Sequence, residues 1–203
     1  MEGKREYFVL ARIVRNEVKI VMRTQALSKE YNIVNDKKRM QTIKIMATAI
    51  TVIMLIVGVV LALRESVPVN FTVTGIILFC IALYIVFTIH ELIHGLLFWV
   101  LGNGKLKISL KKGMLYFNCP NQLFTKWQFN IISIGPCVLL TLILVILALE
   151  FPGDLVAIYL LIVAHSALCM ADMYTVKIVS SAPKKAKIRD TEDGIIMESK
   201  NNF

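Results

Sequence analysis

Four apolar runs divide the chain. They extend from Ile43 to Leu63, Phe71 to Leu101, Phe129 to Leu149, and Leu155 to about Val179. A membrane-crossing helix needs about 20 consecutive apolar residues. The pattern therefore predicts an all-α polytopic membrane protein with about four transmembrane helices. The second run is long, which implies a helix that is tilted, broken or extended beyond the bilayer. Between the second and third runs the polarity alternates instead: Lys105-Leu106-Lys107-Ile108-Ser109-Leu110-Lys111, then Lys112-Gly113, then Met114-Leu115-Tyr116-Phe117. Alternation around a glycine predicts a small β-hairpin within the loop 102–128. Ahead of the first run, Arg12, Arg15, Lys19 and Arg23 share one helical face, and Leu10, Ile13, Val14 and Val21 fall nearer the other. Segment 1–42 is thus expected to hold an amphipathic helix, lying on the inner leaflet or packed as an ordinary cytosolic helix. The expected division is 1–42 for that segment, 43–179 for the four spans and 180–203 for a soluble tail.

Composition agrees with the pattern. Hydrophobic residues make up 57% of the 203, and mean hydropathy is +0.68. The long mixed segment before the first apolar run argues against a secretory signal peptide at the N-terminus. The net charge of +9 raises nucleic acid as a partner, but the basic residues cluster beside the spans. Anionic lipid headgroups and a topology signal account for them, and no nucleic acid is expected. The loop after the second span carries Lys105, Lys107, Lys111, Lys112 and Lys126 with no acid, and the tail carries Lys184, Lys185, Lys187 and Arg189. The two remaining loops are short and hold Arg64 with Glu65, and Glu150 with Asp154. The positive-inside rule then places both termini and the hairpin in the cytosol, with the protein in the cell membrane. Cys80, Cys119, Cys137 and Cys169 lack zinc-ribbon spacing and are expected as small buried hydrophobes. The sequence leaves the oligomeric state open.

The candidate chemistry lies in the second span, at His90-Glu91-Leu92-Ile93-His94-Gly95. Two histidines four residues apart stack on one helix face and can grip one Zn2+, with Glu91 between them as general base. Ionisable side chains inside a bilayer cost about 2.5–3.5 kcal/mol each at mid-depth, so their presence there needs a reason. Catalytic zinc takes three protein ligands and keeps a position open. Within the spans Asp172 and His165 remain as strong donors. The motif centre lies roughly 13 Å, and Asp172 roughly 10 Å, from the cytosolic ends of their helices at 1.5 Å per residue. That match favours Asp172 as third ligand. His165 lies two turns further along the same face, roughly 10 Å away. Three roles stay open for it: support of a ligand, contact with substrate, or a hydrogen-bonded core histidine. Gly135 and Pro136 would either loosen the third span to admit water or pack it closely with a tolerated kink.

HELIHG in a span, a basic hairpin-bearing loop, Gly135-Pro136 in the next span and an aspartate near the end of the last one together resemble the site-2 protease clan. The likeness is greatest to a family of small bacterial membrane proteins classed as zincin peptidases, and covers roughly Gly75 to the end of the tail. It implies a bacterial membrane metallopeptidase, with His90, Glu91 and His94 at the ligand and base positions and Asp172 at the aspartate ligand. Ser133-Ile134-Gly135-Pro136 is similar to the clan's small-residue turn. Met173 stands where the clan usually has glycine, and the clan's Asn-Pro element before the aspartate is absent. The expected activity is zinc-dependent hydrolysis of a membrane protein or peptide substrate near the cytosolic face. Two rivals are a non-catalytic zinc- or peptide-binding pseudo-protease, and a small interaction or immunity protein whose polar residues only hold helices together.

Overall fold

The computed structural model describes residues 28–65, 72–102, 106–111, 114–120 and 122–199. Four long helices carry the apolar runs: α1 Lys37–Arg64, α2 Val73–Leu101, α3 Lys126–Glu150 and α4 Leu155–Ser181. All four are long and apolar enough to cross a membrane. Their outer faces expose Ile53, Val60, Ile77, Leu92, Val138 and Ile146, among others, as lipid-facing helices would. α1 begins earlier than the expected span. Asp36 accepts hydrogen bonds from the backbone N–H groups of Lys38 and Arg39, capping the first turn, so residues assigned to the N-terminal segment are helical extensions of α1. Most of the expected amphipathic helix lies outside the described residues.

α1 packs on α4, α4 on α3, and α3 on α2. Small residues set these approaches. A Cβ on Gly58 would sit 2.5 Å from the Tyr159 ring, and the Tyr159 hydroxyl donates to the Met54 carbonyl at 2.6 Å. Gly135 likewise faces Leu97, whose side chain lies where a Cβ would stand. Val86, Leu140, Leu144 and Leu161 form a second, smaller core among α2, α3 and α4.

The hairpin is present, with β2 Lys107–Lys111 paired antiparallel to β3 Met114–Asn118. The Phe117 ring packs against α2 where a Cβ on Gly95 would meet it at 2.6 Å. A second sheet corrects the all-α expectation. β1 Ser28–Asn32, β4 Leu123–Thr125, β5 Lys187–Thr191 and β6 Gly194–Glu198 form an antiparallel sheet in the order β1-β6-β5-β4. Its buried side chains, Phe124, Ile188, Ile195 and Met197, join Phe98, Phe129 and Val179 in the larger core at one end of the bundle. The physical signal is weak: Ile188 lies between Lys187 and Arg189, but Ile195, Ile196 and Met197 form a short apolar run with no alternation, inside a tail of mixed charge. Lys107 pairs with Glu192, tying hairpin to sheet. Thr125 and Gln128 form a capping box at the start of α3, and Lys126 Nζ donates to the Ser180 and Ala182 carbonyls at the end of α4. All four cysteines are free. Cys119 and Cys169 are buried as expected, whereas Cys80 is exposed on the outer face of α2.

Candidate metal centre

His90 and His94 project from one face of α2, one turn apart, and α4 brings Asp172 against them. Asp172 Oδ2 lies 3.1 Å from His90 Nε2, and Oδ1 lies 3.4 Å from His94 Nε2. The three ligand atoms fall within 4.8 Å of one another. His90 is fully buried, while His94, Asp172 and Glu91 are half-buried. Glu91 stays outside the ligand set but within electrostatic reach of all three members.

Each histidine is held through its other ring nitrogen. His94 Nδ1 donates to the Ile132 carbonyl at 3.0 Å. That acceptor exists for a local reason. In a regular helix the Ile132 carbonyl would take the N–H of residue 136, but Pro136 has no N–H. The proline thus frees a carbonyl in α3, and His94 uses it. Pro136 is buried within α3, and the helix continues through it. His90 Nδ1 lies 3.1 Å from His165 Nε2. His165 is fully buried and its Nδ1 lies 3.2 Å from Thr141 Oγ1. His165 therefore meets His90 on the side away from Asp172, and does not join the Asp172 group.

Of the residues singled out in the sequence, His90, His94 and Asp172 converge and Glu91 stands beside them. His165 lies against Nδ1 of His90, Pro136 leaves the Ile132 carbonyl to His94, and Gly135 packs against Leu97. Ile132 and Thr141 carry no chemical signature and were not singled out. The Ile132 carbonyl was nonetheless accessible to arithmetic, since it lies four residues before a helical proline. Asp190 on β5 carries no signal in the sequence that ties it to the site, since residues 180–203 read only as a soluble tail. Its Oδ2 accepts from the Cys119 backbone N–H at 3.4 Å, within electrostatic reach of His94 and Glu91. Burial pushes its carboxyl up to about 7. A cavity of about 720 Å3 lies elsewhere, between Thr72, Phe79, Leu147, Phe151 and Leu155, and none of the site residues lines it.

The donors fit zinc. Two imidazoles and a carboxylate are ligand types it accepts, and three protein donors leave a fourth position free. The Ile132 carbonyl on His94 is an outer partner typical of metal-bound imidazoles, whereas His90 meets a second imidazole, His165. No curated protein and no solved structure matches the chain. A family described as "Putative zincin peptidase" matches residues 83–187. That stretch begins just before the histidine motif, takes in the hairpin, α3 and the whole of α4, and ends at the first residue of β5. It covers more than half of the 203 residues, and on that ground the chain belongs to the putative zincin peptidase family.

Proposed function

We propose that this protein is a zinc-dependent intramembrane endopeptidase of the site-2 protease type, cutting a membrane-associated protein or peptide near the cytosolic face. The observation that carries it is the meeting of His90, His94 and Asp172 beside Glu91, between helices apolar enough to lie in a bilayer. The orientation follows the basic loops, with the sheet, the hairpin and both termini in the cytosol of a bacterial cell.

His90 and His94 would hold the ion through Nε2, and Asp172 through its carboxylate. The chemistry a zinc ion supplies at such a site is Lewis acidity towards the peptide carbonyl and the attacking water. Glu91 takes a proton from that water and returns it to the leaving amine, as a positioned general base and then acid. The surrounding helices exclude bulk solvent, which strengthens the electrostatic contacts within. A helical substrate hides its carbonyls and must unwind locally before any of this can occur. The hairpin supports that step. It forms a two-stranded sheet of its own, joined to no other described strand, and packs on α2 at Gly95, next to His94. An extended substrate segment could add to its edge through main-chain hydrogen bonds.

The test is cleavage of a single-span reporter by purified protein in liposomes, with zinc measured in parallel. About one zinc per chain is expected, and its removal by a chelator should abolish cleavage, with recovery on adding zinc back. Cleavage that persists in metal-free protein would rule the proposal out. Pro136 offers a finer prediction. Pro136→Ala restores an N–H that competes with His94 for the Ile132 carbonyl. Zinc affinity should fall by up to about tenfold, the low end for loss of an outer-shell partner. Unchanged affinity in a chelator competition would show that the freed carbonyl is unimportant.

A further inference from the structure

His165 is polar, fully buried and in the middle of an apolar helix, and both of its ring nitrogens are engaged. The zinc site of the preceding section, on which the inference rests, uses Nε2 of His90. A neutral imidazole that offers Nε2 to a metal carries its proton on Nδ1. His90 Nδ1–H is therefore the donor in the 3.1 Å contact, and His165 Nε2 the acceptor. A neutral His165 then bears its proton on Nδ1, and donates it to Thr141 Oγ1 at 3.2 Å. The chain runs in one direction, from His90 through His165 to Thr141, and leaves none of these ring nitrogens without a partner.

From this we infer that His165 is a positioning residue, which fixes the tautomer and ring orientation of His90 and so completes the metal site. It does for His90 what the Ile132 carbonyl does for His94. The choice of an imidazole has an electrostatic basis. Asp172 and Glu91 together balance one divalent cation. A carboxylate at position 165 would accept from His90 equally well, but would leave an uncompensated charge between apolar helices, which is costly. An imidazole accepts while staying neutral. Packing alone does not explain the residue, since a leucine would fill the space without needing Thr141 opposite.

Cys169 sharpens the alternative. Its Sγ lies 3.6 Å from His165 Nε2, and His90, His165 and Cys169 also have ligand atoms within 4.8 Å of one another. If a second ion bound there, His90 Nδ1 would be a ligand and could not donate to His165. The two arrangements exclude each other, so metal stoichiometry separates them.

The experiment is a Zn2+ titration of the full-length protein in nanodiscs against a fluorescent chelator, with melting measured for each variant. His165→Ala should weaken Zn2+ binding by about 10- to 100-fold. His165→Gln offers a neutral oxygen acceptor and should recover most of that loss. Thr141→Val removes only the far end of the chain and should cost less than His165→Ala. In zinc-loaded wild type labelled with 15N-histidine, His90 should carry its proton on Nδ1 and His165 should accept through Nε2, a readout that needs no variant to fold. Wild-type affinity in His165→Ala, equal weakness in His165→Gln and His165→Ala, the opposite tautomers, or two zinc ions per chain would each overturn the inference. If wild type binds no zinc, the proposed function itself fails. If wild type and every His165 variant bind it equally, only the role of His165 does.

Discussion

Replacing Glu91 by glutamine is expected to lower peptide cleavage by about 10²- to 10⁴-fold while zinc stays bound. The substitution keeps the size of the side chain and removes its basicity. Glu91 is half-buried on α2 and stands outside the group formed by His90, His94 and Asp172. Its loss therefore takes away no metal donor. What goes is the acceptor for the water's proton and the donor to the leaving amine, so both halves of the reaction slow. The measurement is single-turnover cleavage of a liposomal reporter beside zinc content from the same preparation. Full activity in Glu91→Gln would remove Glu91 from the mechanism. Zinc lost together with activity would instead make the glutamate a structural member of the site.

The second large effect is expected at Asp172. Apparent zinc affinities of about 10–16 kcal/mol spread over four ligands give roughly 2.5–4 kcal/mol for each. Losing one should weaken binding on the order of 100- to 1,000-fold, and cleavage should fall with it. Asp172→Asn is the informative change. It preserves the size and shape of the side chain, so the helices should still pack, but an amide is a poor zinc ligand. Asp172→Ala also removes the group facing His90 Nε2 and His94 Nε2 at 3.1 and 3.4 Å, and should loosen α4 against α2. Zinc retained at wild-type affinity by both variants would exclude Asp172 as a ligand, leaving the group of His90, His165 and Cys169 as the place to look.

Much of this architecture is legible along the chain because helices apolar enough to cross a membrane follow simple rules of length and composition. Apolar length marks the helices, and rise per residue brings Asp172 level with the histidine motif before any packing is known. The hairpin shows itself through alternation around Gly113. What stays hidden depends on rotation and on distant pairing. Which face of α4 turns inward decides that His165 meets Nδ1 of His90, and spacing along one helix does not contain that information. The pairing of β1 with β6 joins segments on either side of all four helices, and neither Ser28–Asn32 nor Gly194–Glu198 shows an apolar alternation that would mark it as a strand. The role of Pro136 falls between these cases. Its missing N–H points to Ile132 by counting, but only the structure shows His94 waiting at that carbonyl.

The order of strands in the four-stranded sheet sets a timetable for making the protein. β5 and β6 lie at its centre, with β1 on one side and β4 on the other, yet they are the last of the four to be synthesised. When α4 leaves the ribosome, β1 and β4 have no sheet to join, and Phe124 and Phe98 lack the cover that Ile188, Ile195 and Met197 provide. Asp190 reaches the neighbourhood of Glu91 only when β5 docks. A nascent chain with all four helices made would hold His90, Glu91, His94 and Asp172, but not the sheet that closes the core at the end of the bundle. The core at this end of the bundle is thus completed only after α4 has been made, by the last two strands of the chain.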